Sequence, residues 1–250
     1  MRFENPLLPG TLLRRYKRFL ADVRLDDGRT VTALCPNTGS MKTCDTPGQP
    51  VLLSEHDIPT RKYRFTWEMI RQGRVWVGIN TGHPNRVVYD AIVGGRVPEL
   101  AGYGETRREV RFGRENSRVD LLLREGDRLC YVEVKNVTMA AGGRVAAFPD
   151  AVTERGTKHL RELMHVVRQG HRAVIFYFLG RADCRSVRPA DEIDPLYGVT
   201  LRRAIAAGVE PLAYRAVIRP HGIRLGGAVP VAIPEPAPRL PRRSRRRKRA

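Results

Sequence analysis

Apolar and polar positions alternate along residues 118–124 and again along 129–135, and Glu125-Gly126-Asp127-Arg128 between them carries turn chemistry. Gly126-Asp127 suits a two-residue primed turn. With Glu125 facing Arg128, Val119 meets Val134, Leu121 meets Val132 and Leu123 meets Cys130 on one wholly apolar face. The other face then sets Asp120 opposite Glu133, with Lys135 two residues further along the same side. Upstream, residues 85–93 read as a helix capped by Asn85 and closed by Gly94-Gly95, with Val87, Val88, Ala91 and Ile92 apolar and Asp90 inside it. Residues 107–112 read as a strand, 153–168 as a helix with Leu160, Leu163, Met164 and Val167 on one side, and 173–179 as a continuous apolar strand. The first 80 or so residues hold five strand-like runs, 11–25, 29–35, 51–54, 63–71 and 74–80, broken by Gly, Pro, Asp and Asn. Five short strands fit a small barrel or another small β fold.

Directly opposed carboxylates sit about 5 Å apart at Cβ and repel by roughly 3 kcal/mol at an effective dielectric near 20, against under about 1 kcal/mol in open water. A buried Asp120–Glu133 pair therefore needs a proton, a cation or a metal ion, whereas an exposed one needs nothing. The chain uses 39 arginines and only 6 lysines. Lysine at 135 and 158 can thus be read as chosen for chemistry a guanidinium cannot do, or as chance. Asp120 followed by Glu133-Val134-Lys135 matches the PD-(D/E)xK nuclease motif, although Glu-x-Lys also arises from ordinary surface ion pairs. The order helix, three strands, helix, strand is the core order of that superfamily.

Longer phrases carry a more specific resemblance. Arg15-Tyr16-Lys17-Arg18-Phe19, the stretch from Cys35-Pro36-Asn37 to Ser40-Met41, Glu115-Asn116-Ser117-Arg118-Val119-Asp120, and Phe148-Pro149-Asp150 through Arg155-Gly156 resemble the sugar fermentation stimulation protein family. The likeness runs from about residue 3 to about 230. It implies a DNA-binding protein of α+β class, an oligonucleotide-binding barrel (1–82) before a nuclease-like α/β domain (83–233), linked to regulation of sugar metabolism. By the same resemblance Asp120, Glu133 and Lys135 fall on the motif, Asp90 stands where glutamate is usual, and Leu34 stands where a histidine is expected before Cys35-Pro36. A catalytic site would place Asp120, Glu133 and the Val134 carbonyl on Mg²⁺ or Mn²⁺, with Asp90 direct or through water, and Lys135 positioning the attacking water.

Net charge is +19 at pH 7, and residues 234–250 contribute +7 of it, leaving +12 on the rest. Such an excess favours a polyanion, DNA or else RNA, bound with steep salt dependence. Arg14, Arg15, Lys17 and Arg18 surround Tyr16 and Phe19, a mixture able to follow a phosphate backbone and stack a base. Strand alternation would leave Tyr16 available and send Phe19 to the core. Asn37 and Ser40 lie in a turn-rich loop able to meet phosphate, or simply in a turn. Arg155, Lys158 and His159 open the helix after the motif, where Arg155 and Lys158 share a face that is either a phosphate contact or an ordinary solvated surface. The Pro- and Arg-rich tail, 234–250, cannot build a core and should be disordered, adding nonspecific affinity for nucleic acid. Cys35, Cys44, Cys130 and Cys184 show no CxxC or zinc-type spacing, so they read as structural thiols, with Cys35 the more exposed. No transmembrane span or signal peptide is legible, which points to the cytoplasm and away from membranes. A homo-oligomer through a sheet or barrel contact is compatible with this architecture. Two function classes stand open: a metal-dependent nuclease, and a non-catalytic DNA-binding regulatory factor on a nuclease-like fold.

Overall fold

The computed structural model describes residues 1–113 and 117–235. The expectation of disorder for the tail falls largely on 236–250, which lie outside the described residues.

The barrel is built from β1 (Leu8–Tyr16), β2 (Leu20–Leu25), β3 (Thr30–Leu34), β4 (Pro50–Glu55) and β5 (Phe65–Gln72). They pair in the order β3-β2-β1-β4-β5, and a parallel β3–β5 contact at Ala33–Phe65 closes the ring. Closure removes the open sheet edges that would otherwise invite association. Leu12, Val23, Leu53, Trp67 and Ile70 fill the interior. A further strand, β6 (Val75–Gly78), extends the sheet beyond β5. The run 11–25 is therefore two strands and not one. Lys17 and Arg18 adopt left-handed conformations, φ 49° and 64°, and turn the chain between Tyr16 and Leu20. Because Phe19 sits in that turn, it is 41% exposed, against the core position expected for it.

The second domain starts with α1 (Pro84–Val93), whose N-cap is His83 and not Asn85. A six-stranded sheet follows in the order β14-β13-β11-β9-β8-β7. Its strands are β7 (Glu105–Phe112), β8 (Ser117–Glu125), β9 (Arg128–Val137), β11 (Arg172–Leu179), β13 (Glu210–Arg219) and β14 (Gly222–Ala228). β11 runs parallel to both β9 and β13. α1 covers one face; α2 (Glu154–Arg168) and α3 (Pro195–Ala206) cover the other. α2 is capped by Thr153, whose hydroxyl accepts the Gly156 N–H at 3.0 Å. A small parallel pair, β10 (Val145–Phe148) with β12 (Ser186–Pro189), stands apart from the main sheet.

The two domains share a core. Leu52 and Met69 of the barrel pack in one cluster with Val87 of α1, Phe176 of β11, Ile218 and Ile223. The Gly78 N–H donates to the Gly180 carbonyl at 2.9 Å, and a Cβ at Gly180 would stand 2.9 Å from the Gly78 oxygen. Only glycine permits that approach.

Candidate active site

The β8–β9 hairpin forms with the register its pattern predicts, from Glu125–Arg128 to Leu121–Val132, but pairing stops there. Val119 does not meet Val134. Instead Val119 pairs with Val110 and packs in the core beneath α2, whereas Leu121 faces the α1 side. The face switches at Asp120, and the residue opposite it on β7, Glu109, has φ 54°. Both strands rotate there. The rotation turns the Asp120 carboxylate towards β9, where its Oδ2 accepts the Val134 N–H at 2.7 Å. A side chain has replaced the ladder bond, and β8 and β9 open around it.

Asp120 and Glu133 end as close neighbours by this route. Asn85, on the first turn of α1, donates to Asp120 Oδ1 at 2.7 Å. Burial, then the adjacent Glu133 charge, push the Asp120 carboxyl up to about 6, despite Lys135 and the Val134 and Asn85 donors. Glu133 is 2% exposed. Burial also opposes its charge, but Lys135 and His159 outweigh that and hold it below the ordinary carboxylate range. Lys135 Nζ donates to Glu133 Oε1 at 2.6 Å, so Lys135 does share the acidic face. His159 Nδ1 bonds the same oxygen, while Arg155 Nε donates to His159 Nε2 at 3.4 Å, which assigns the ring proton to Nδ1. Glu133 Oε2 is buried without a hydrogen-bond partner.

Asn85, Asp120, Glu133, Val134 and Lys135 line an open cleft of about 340 Å³ between the barrel loop at Asn37–Gly39 and the sheet, with Arg155 at its mouth. Hydrogen bonds from both domains tie the loop down. Arg15 donates to the carbonyls of Ser40, Arg18, Asn37 and Gly39 at 2.8–3.2 Å, and the Asn37 side chain accepts the Gly39 N–H at 2.9 Å. Asp150, entering from the second domain, accepts the Met41 N–H at 3.0 Å and the Ser40 hydroxyl at 3.4 Å.

The structure thus brings Asp120, Glu133, Val134, Lys135, Asn37 and Arg155 to one cleft. Asp90 is not among them; it lies 3.9 Å from the N-terminal ammonium. Arg15 organises the loop, Arg14 pairs with Asp22 at 2.8 Å and lies over the Tyr16 ring, and the Tyr16 hydroxyl donates to Asp22. Lys17 and Arg18 are exposed in the β1–β2 turn, and Lys158 is half-buried on α2. All four cysteines are buried and free, Cys35 included, so its expected exposure is not found. His159, read with Arg155 and Lys158 at the start of the helix that follows the motif, was given no bond to the acidic pair; its i, i+4 spacing from Arg155 was the available signal.

Two family descriptions match along the chain, "SfsA N-terminal OB domain" over residues 13–79 and "Sugar fermentation stimulation protein RE domain" over 82–222. The chain belongs to the sugar fermentation stimulation protein family. Relatives in this family include the homolog from Geotalea uraniireducens (strain Rf4), 60% identical over 233 residues that cover 93% of this chain and all of the relative. The homolog from Geobacter metallireducens is 59% identical over the same span. Among solved structures, that of Pyrococcus furiosus SfsA in complex with Ca²⁺ is similar with TM-score 0.84 and 29% identity, covering 93% of this chain and 98% of that one. The barrel is accordingly an OB domain, followed by a mixed α/β domain. No helix among the described residues is long and apolar enough to cross a membrane.

Proposed function

We propose that this member of the sugar fermentation stimulation family is a cytoplasmic DNA-binding protein whose cleft is a Mg²⁺- or Mn²⁺-dependent phosphodiesterase site. The observation that carries the reading is Glu133, a deeply buried carboxylate whose Oε2 has no partner, beside an Asp120 that resists ionisation. A hard cation would answer both, supplying the missing partner and relieving the repulsion. The donor set fits. Asp120 and Glu133 offer carboxylate oxygens, and the Val134 carbonyl belongs to the stretch of β9 where the ladder has opened. Among the described residues no group of three or more His, Cys, Asp or Glu side chains is arranged to hold a metal. One or two carboxylates with water and substrate phosphate completing the shell is a common arrangement for Mg²⁺. Ca²⁺, with which the Pyrococcus furiosus protein is in complex, has the same preference for oxygen.

When bound, such an ion neutralises charge on phosphoryl oxygens and lowers the pKa of a coordinated water. Lys135, held by Glu133 at the cleft wall, donates to the attacking water and orients it. Arg155 offers its guanidinium to a phosphate at the mouth while its Nε anchors it through His159 to Glu133. Hydrolysis joins the water oxygen to phosphorus and breaks one P–O ester bond, the water's protons ending on the phosphate and the released hydroxyl.

A second reading is favoured by the hydrogen bonds already made. Both Asp120 oxygens and Glu133 Oε1 are satisfied within the protein, so the network stands without an ion. The chain would then be a non-catalytic DNA-binding regulator connected to sugar metabolism. Incubating single-stranded, double-stranded and nicked DNA with Mg²⁺ or Mn²⁺ separates the two. Metal-dependent products, reduced at least ~100-fold in Glu133→Gln and Lys135→Ala, establish the phosphodiesterase. No products, with equal salt-sensitive binding by all three proteins, establish the regulator.

A further inference from the structure

The acidic site opens on two sides. Besides the cleft towards the barrel, a groove of about 810 Å³ runs from Asp120 and Asn85 across the first turn of α1 and along β7. Thr81, Asn85 and Asp120 line both, so the carboxylate stands where the two hollows meet. The first hollow carries Arg155 at its mouth; the second carries Arg86, Arg107 and Arg108.

Arg107 and Arg108 stand on β7 just before the left-handed Glu109, and Arg86 on the first turn of α1. Arg108 lies over the Tyr89 ring at 5.1 Å, which holds its guanidinium on the α1 side. Arg86 is exposed one residue after Asn85. Arg107 is at the rim, its charge shared with Glu105 at 2.6 Å. Glu109 is the one acid in the groove besides Asp120.

A site for a terminal phosphate or a mononucleotide would be a blind pocket, closed behind the reacting group. Here cationic side chains flank the carboxylates on opposite sides, which is the layout for phosphates both before and after the one being attacked. Depth adds a second constraint. The Glu133 side chain is 3% exposed, recessed behind the barrel loop and α2. A flexible single strand can bend into that recess, whereas the stiff backbone of a duplex is held away by its own width.

Resting on the phosphodiesterase reading, we infer that the substrate is a single nucleic-acid strand threading both hollows, attacked at an internal phosphodiester, with Arg86 and Arg108 holding phosphates on the β7 side. The probes are a closed circular single-stranded DNA, its linear form and a duplex of the same sequence. Cleavage is compared for the native chain and for Arg86→Ala/Arg108→Ala. Salt-dependent anisotropy of a labelled oligonucleotide is measured in the Glu133→Gln background. The circle should be converted to full-length linear product and then fragments. The double variant should cut it at least ~10-fold more slowly, with a log–log salt slope smaller by about 1–2, one per lost phosphate contact. Trimming of the linear form with the circle untouched overturns internal attack, preference for the duplex overturns the single strand, and unchanged slope and rate overturn the arginine groove. If no DNA is cut by any protein, the phosphodiesterase reading and the claim of attack fall together. The salt slopes then decide the β7-side path alone, and an unchanged slope overturns it.

Discussion

At the scale of single residues, Asp120 and Glu133 lie side by side yet respond oppositely to burial. Glu133 keeps its charge because Lys135 and His159 both face one oxygen; Asp120 has neutral donors and a charged neighbour. A carboxyl raised to about 6 in the fold, against about 3.9 unfolded, favours the native state fully below pH ~4 and loses that contribution as pH rises through 6. Ionised Asp120 therefore costs about 1–3 kcal/mol near neutrality without a cation. Asp120→Asn should raise the melting temperature at pH 7.5, with the gain vanishing by pH 4; a loss of stability at pH 7.5 would refute the account. Mn²⁺ should raise the melting temperature of the native chain more than that of the variant, by mass action. His159→Ala should destabilise by about 2–4 kcal/mol in chemical denaturation, since it removes a buried partner from a buried charge. A change under ~1 kcal/mol would mean that Lys135 alone suffices. Asp120, Glu133 and Lys135 were legible because their neighbours alternate in a hairpin. The bond of His159 to Glu133 was not, because the two lie 26 positions apart and only the packing of α2 joins them.

Among the elements, the barrel loop and β8 show what a pattern can and cannot say. Alternation and a Gly-Asp turn fix the hairpin register from 121 to 132, but nothing in the residue types announces that the ladder ends at Asp120 or that Glu109 takes a left-handed conformation. The same gap explains the merged 11–25 run, since Lys17 and Arg18 turn without glycine or proline. Strands β13 and β14, the pair β10–β12 and helix α3 went unread. Gly39 meets the second domain so closely that an added Cβ would stand 2.6 Å from an Asp150 oxygen. Gly39→Ala should push Asp150 off the Met41 N–H, costing about 1–3 kcal/mol and loosening the cleft wall. Unchanged denaturation midpoint and DNA affinity would show the clip to be dispensable. Arg15→Lys should weaken the loop similarly, because an ammonium cannot fork across four carbonyls as a guanidinium does.

For the molecule as a whole, two domains were foreseeable from strand spacing and motif order, and the type of the first from the family resemblance, but their degree of union was not. Leu52 and Met69, read simply as strand residues, reach past the barrel into the core beneath α1. Calorimetry should therefore show one unfolding transition for residues 1–235, with calorimetric and van't Hoff enthalpies in agreement; two resolved peaks would contradict the shared core. The stretches matched by the family, 13–79 and 82–222, then record ancestry better than they mark separable parts. A gene fragment encoding either would leave a greasy seam facing water, and its product would be prone to clump. Isolating the barrel for study would first require resurfacing Leu52 and Met69, and a chimera that swaps barrels between relatives would have to carry the matching side of the seam with it.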